Sequence, residues 1–158
     1  MKTIVLTVSM LLFITAQSCS QNHQPDDAAA VYAASTPCSQ GTRPLPGMDA
    51  EIGCELMKWK LVLHEHTFEL HCEYGMTKAS TKGFSKGKSL DLSGSWTIQK
   101  GTPAHPQATV YQLKDGKTHK NISFIRLSNE LLHLLDADGH LMIGNGGWSY
   151  TLSKVTAK

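Results

Sequence analysis

Neither sign of charge is in excess: 15 Lys and Arg stand against 13 Asp and Glu. That near-balance removes the electrostatic case for a nucleic-acid partner. No apolar run reaches the roughly 20 residues of a membrane-spanning helix. The familiar catalytic signatures are missing as well. There is no Gly-x-Ser-x-Gly elbow, no His-Glu-x-x-His pair and no phosphate-binding glycine loop, so the expectation is a non-enzymatic protein. Cysteine is scarce, at 4 residues, and none are spaced as Cys-x-x-Cys. The length of 158 residues suits one domain and a tether, not two domains.

What is present begins at the N-terminus. Met1-Lys2-Thr3 is a basic start, residues 4–16 are mainly apolar, and Gln17-Ser18 precede Cys19. These are the parts of a cleavable export signal, residues 1–18. Ala16-Gln17-Ser18-Cys19 resembles a bacterial lipobox. The resemblance implies that Cys19 becomes the lipid-bearing first residue of the mature chain, with palmitate or similar chains. Each buried methylene would contribute about 0.8 kcal/mol to anchoring. The implied location is the cell envelope, and Ser20 is compatible with the outer membrane. Cys38, Cys54 and Cys72 remain, an odd number that allows one disulfide and one leftover thiol. The residues leave the pairing open. Cys54 with Cys72 is preferred, because Cys38 sits in a stretch that reads as flexible.

Residues 20–46 are rich in Gln, Asp, Ala, Ser and Pro. Asp27-Ala28-Ala29-Ala30-Val31-Tyr32-Ala33-Ala34 has some helical character but no sustained amphipathic pattern, so residues 19–40 read as a disordered tether. Thereafter the pattern is β. Met57, Trp59, Leu61 and Leu63 alternate on one face; Phe68, Leu70, Cys72 and Tyr74 alternate on another, with His64-Glu65-His66-Thr67 as the turn between. Residues 75–89, rich in lysine and glycine, read as a loop. Further short strands are expected over 90–98, 109–113, 120–127, 130–135, 140–143 and 148–152. Asp115-Gly116 and Asp138-Gly139 supply turns. The pattern predicts an all-β antiparallel meander over residues 41–154, closed as a small lipocalin-like barrel. Closure also removes exposed strand edges.

The order of landmarks resembles the N-terminal domain of the NlpE family of copper-resistance and adhesion-sensing envelope lipoproteins. The matching positions are Pro46-Gly47, Thr67-Phe68, Gly94-Ser95-Trp96, Val110-Tyr111-Gln112-Leu113, Leu132-His133-Leu134-Leu135-Asp136 with Asp138-Gly139, and Tyr150-Thr151-Leu152. The resemblance covers residues 41–154. It implies a lipid-tethered barrel acting in copper or envelope stress, or in surface sensing, through envelope protein partners. One departure matters: family members often carry Cys-x-x-Cys just before the Pro-Gly. Here Cys38 has no partner at that spacing, so a copper or redox role tied to that motif does not carry over.

The sharpest chemical cluster in the sequence is His64, His66, His71, Cys72 and Met76. Thiolate and thioether suit Cu(I), and imidazole suits copper and zinc. Copper is therefore a candidate cofactor, and a Cu(I) or zinc buffer an alternative function. Against it, neighbours on a strand face opposite ways, which separates His71 from Cys72. A second alternative is a lipocalin-like carrier of a small apolar ligand, with Trp59, Trp96, Tyr111 and Trp148 as candidate cavity residues. In small barrels such aromatics usually fill the interior. The lysines Lys78, Lys82, Lys86 and Lys88 read as a solvated loop, and Asp136-x-Asp138-Gly139 as a turn that lacks the remaining ligands of a calcium loop.

Overall fold

The computed structural model describes residues 29–39 and 41–156. The segment read as an export signal, Cys19 and the chain up to residue 28 lie outside the described residues. Eight strands follow one another: β1 (Ala30–Pro37), β2 (Leu56–Leu63), β3 (Thr67–Thr77), β4 (Phe84–Lys100), β5 (Thr109–Asp115), β6 (Asn121–Arg126), β7 (Leu131–Leu134) and β8 (Thr151–Val155). Each pairs antiparallel with its sequence neighbours, and β8 returns to β1, closing the barrel. The all-β expectation holds, and no helix occurs among the described residues.

The alternation read in the sequence builds the interior. Met57, Trp59, Leu61 and Leu63 of β2 face Tyr74, Cys72, Leu70 and Phe68 of β3 in direct register, and all eight are buried. Phe124, Leu113, Leu132 and Leu152 close the other side of the same core. The Trp59 indole meets the Phe124 ring edge-on at 6.3 Å, a preferred aromatic geometry. The barrel is therefore filled by side chains.

Three expectations are corrected. First, the tether assigned to residues 19–40 does not extend that far, because β1 occupies Ala30–Pro37 and completes the barrel. Its alanines favour helix as isolated residues, but tertiary pairing overrides that preference. Ala34 sits opposite Trp59 in the register, where a small side chain leaves room for the indole. The indole N–H then donates to Thr36 Oγ1 at 2.7 Å, in the buried interior. Second, residues 75–89 are not one loop. β3 continues to Thr77 and β4 starts at Phe84, leaving only residues 78–83 as the connection. Gly75 and Gly87 allow this, because a Cβ on Gly75 would press on the Gly87 backbone. Third, the strand expected at residues 140–143 is reduced to one bridge between Leu135 and Leu141, and the last strand runs over Thr151–Val155.

The disulfide is also corrected. Cys38 pairs with Cys54, their Cα atoms 5.4 Å apart, and Cys72 is a buried free thiol. Once β1 belongs to the barrel, Cys38 leaves its end beside the start of β2, where the Cys38 amide donates to the Glu55 carbonyl at 3.1 Å. Cys72 faces the core between Trp59 and Leu90, its two register partners.

Candidate functional site

Between β1 and β2, residues 38–39 and 41–55 form a cap over one end of the barrel. Its Leu45 is buried in the main core, with Met48 and Ile52 packed against the same cluster. Such a segment has no ladder to satisfy its backbone, so side chains do it. The Arg43 guanidinium donates to the carbonyls of Ser39, Ala50 and Ile52, the last at 2.6 Å. The Asp49 amide donates to the Tyr74 hydroxyl at 3.0 Å, and its carboxylate pairs with Lys88 at 2.5 Å. The Lys88 hydrogen bond holds the Asp49 carboxyl below its usual range. Gly47 turns the cap with φ of 84°, a left-handed conformation that favours glycine. The cap's two ends are tied by the Cys38–Cys54 disulfide.

Beside the cap lies a cavity of about 490 Å³ between residues 41–44 and the ends of β6 and β7. Ile122, Leu134 and Met142 give it an apolar wall; Asn121 and Asp136 give it a polar one. The long β7–β8 connection passes the same end. It carries Ile143 and Trp148 on the surface, and Trp148 borders a groove that reaches Cys38 and Cys54. The Asn145 side chain fixes that turn by accepting from the amides of Gly147 and Trp148.

The five metal candidates are dispersed. His64 and His66 sit in the β2–β3 turn at the opposite end of the barrel and are exposed. His64 approaches Glu69 at 3.8 Å, and His66 approaches Glu65 at 3.4 Å. His71 lies on the outer face, its Nδ1 2.6 Å from Asp91. Cys72, next in sequence, points inward and is fully buried. Burial, reinforced by the Glu73 charge, pushes its thiol up to about 12. The thiolate is the metal-binding form, and here it is strongly disfavoured. Met76 lies near the far end of β3, beyond the register shift after Tyr74. These residues do not converge on one ion, so they do not fit a copper or zinc centre.

The aromatic candidates separate too. Trp59 is core. Trp96 and Tyr111 stack at a tilt, 5.1 Å between centroids, and the Trp96 indole donates to the His64 carbonyl at 2.8 Å. Trp148 stands apart at the capped end. They line no common cavity among the described residues. Asp136, Asp138 and His140 bring ligand atoms within 4.8 Å of one another on the surface. Asp136 Oδ1 already accepts the amides of Asp138 and His140 at 2.9 Å each, which is turn chemistry. His133 has both ring nitrogens engaged, Nδ1 with Thr151 Oγ1 and Nε2 with the Met142 carbonyl, each at 2.9 Å. A carbonyl needs a donor, so Nε2 carries the proton and Nδ1 accepts from the hydroxyl. Neither nitrogen is left to serve as a general base.

Sequence reasoning missed the cap and the two residues that hold it, Arg43 and Cys38. The available signal was the pair Cys38 and Cys54 flanking a segment rich in turn residues. No family model matches the chain, and neither a curated protein nor a solved structure matches it.

Proposed function

We propose that the chain is a non-enzymatic envelope lipoprotein of the NlpE type, anchored to the outer membrane through Cys19 and acting in copper or envelope stress through protein partners. The observation that carries the envelope assignment is the buried Cys38–Cys54 disulfide. Structural disulfides persist in oxidising compartments outside the cytosol, which agrees with the export signal. The filled interior favours interaction over carriage. The dispersal of His64, His66, His71, Cys72 and Met76 means that a role in copper stress would run through partners, not through an ion held by these five. The test is a Cys19→Ala chain, examined by mass and by membrane fractionation. Loss of an acyl adduct and release into the soluble fraction are expected; an unchanged membrane fraction would sink the anchor. A deletion strain with wild-type copper tolerance and wild-type envelope-stress output would remove the stress-response assignment.

The lipocalin-like alternative is favoured by one observation, the 490 Å³ cavity beside the cap. It predicts that a fluorescent apolar probe binds there and that Met142→Trp displaces it. Absence of probe binding would end that reading.

A further inference from the structure

An up-and-down barrel has two ends, and the chain enters this one at a definite end. The start of β1 at Ala30, the end of β4 at Lys100, the end of β6 at Arg126 and the end of β8 at Val155 all lie there. The cap, Ile143 and Trp148 lie at the other. We propose that the entry end is a membrane-docking surface, whose rim rests on the headgroups of the bilayer that holds the Cys19 lipid. This rests on the lipoprotein reading above.

Three observations support it. The leash is short, because residues 30–37 are strand. From Cys19 to Ala29 even a fully extended chain reaches only about 36 Å, at roughly 3.6 Å per residue. The start of β1 is thus kept within that distance of Cys19. The rim also exposes large apolar side chains that a solvated strand end would not need: Ile98 is 61% exposed, Leu127 52% and Val155 43%. Ile98 lies on β4, and Leu127 on the β6–β7 turn and Val155 at the end of β8 lie on neighbouring parts of the rim. Finally, exposed cations accompany them. Lys100, Arg126 and Lys154 flank the three apolar residues, with Glu130 on the same side and Glu65 and Glu69 on the β2–β3 side of the rim. Long basic side chains can lay their stems on apolar surface while their heads meet lipid phosphate. A second copy or a soluble protein on this rim would gain nothing from the leash.

The experiment uses the lipid-bearing protein in vesicles of phosphatidylethanolamine and phosphatidylglycerol. A fluorophore is placed through Leu127→Cys or, at the capped end, through Ile143→Cys. Cys72 is buried and Cys38 and Cys54 are paired, so labelling is selective. Quenching is read with lipids carrying a headgroup nitroxide. The Leu127 label should be quenched several-fold more strongly than the Ile143 label. Equal or reversed quenching in protein with a verified acyl mass overturns the docking and leaves the lipoprotein reading intact. A chain without acyl mass overturns both. Protection of the Leu127 label in detergent, without vesicles, overturns the docking in favour of self-association. Lys100→Glu with Lys154→Glu should weaken rim partitioning by about fivefold per charge removed while vesicle flotation persists. Unchanged Leu127 quenching in that variant overturns the role given to the charges.

Discussion

Removing the Cys38–Cys54 disulfide tests the fold at the point where sequence and structure differ most. The perturbation is Cys38→Ala with Cys54→Ala, which leaves no buried polar group behind. The bridge closes a short loop, with a sequence separation of 16. Closing a loop of that length removes unfolded-state entropy equivalent to about 3 kcal/mol at 25 °C. The cap keeps its other contacts, namely buried Leu45, the Arg43 hydrogen bonds and the Asp49–Lys88 pair. The variant should therefore fold, with stability lower by about 3 kcal/mol. For a domain of this size that corresponds to a fall in Tm of about 10 °C.

The assay is thermal unfolding followed by circular dichroism, on mature protein carrying Cys19→Ala, with and without dithiothreitol. Reductant should bring the parent protein down to the double variant and leave the variant itself unchanged. Cys72→Ala serves as the control. It should lose about 1–2 kcal/mol for the buried sulfur yet keep its full sensitivity to reductant. If Cys72→Ala abolished that sensitivity, Cys72 would be a disulfide partner and the Cys38–Cys54 pairing would be refuted. A double variant as stable as the parent would refute the entropic estimate.

Thr36→Val should cost about 1–3 kcal/mol, since it strands the buried Trp59 indole donor; a urea midpoint indistinguishable from the parent would place residues 30–37 outside the barrel. Cys72, with its thiol raised to about 12 by burial and the Glu73 charge, should resist alkylation by iodoacetamide at pH 8 in the folded protein and react readily in denaturant. Rapid modification under native conditions would contradict its inward orientation. At Asp115, burial raises the carboxyl pKa, but hydrogen bonds from the Thr118 hydroxyl and amide outweigh it, so the net shift is downward. A lowered folded pKa means that the carboxylate stabilises the protein above its unfolded value of about 3.9. That contribution is lost as pH falls through the folded pKa. The stability gap between parent and Asp115→Asn should therefore narrow in acid, and a gap that widened there would reverse the sign.

Much of the barrel is legible because burial writes itself as alternation. Met57 to Leu63 and Phe68 to Tyr74 place apolar residues at every second position, and both runs became facing walls. β1 was not legible for the same physical reason. Its inward residues are Tyr32, Ala34 and Thr36, and only the first is large and apolar. The small pair is dictated by Trp59, a residue more than twenty positions away, so no local pattern announces it. The misassigned cysteine pair followed from this, since a Cys38 on a leash has no fixed neighbour. The β3–β4 extension escaped because its outer half is solvated on both faces and reads as polar loop. The metal cluster failed for a reason already visible in the residues. His64 and His66 lie in the β2–β3 turn, while His71, Cys72 and Met76 are spread over two faces and along the length of β3, so the five do not gather round one ion.

Returning residues 30–37 from leash to barrel also distinguishes the two ends of the molecule, one where β1 starts and one that carries the cap. A leash reaching to residue 40 would leave the barrel free to turn either end to the membrane. With β1 in the barrel, the chain toward Cys19 departs from the entry rim. Under the docking proposed above, the capped end would be the one presented away from the bilayer. It is also where the structure adds its covalent reinforcement, and where Ile143 is left 91% exposed and Trp148 46% exposed beside the disulfide. Tryptophan is among the residues that carry most binding energy at protein–protein contacts. If partners are engaged there, Ile143→Asp or Trp148→Ala should abolish stress output while leaving Tm and membrane fractionation unchanged. The same loss from Leu127→Asp, with both capped-end variants silent, would put the partner on the entry rim and overturn the division of labour.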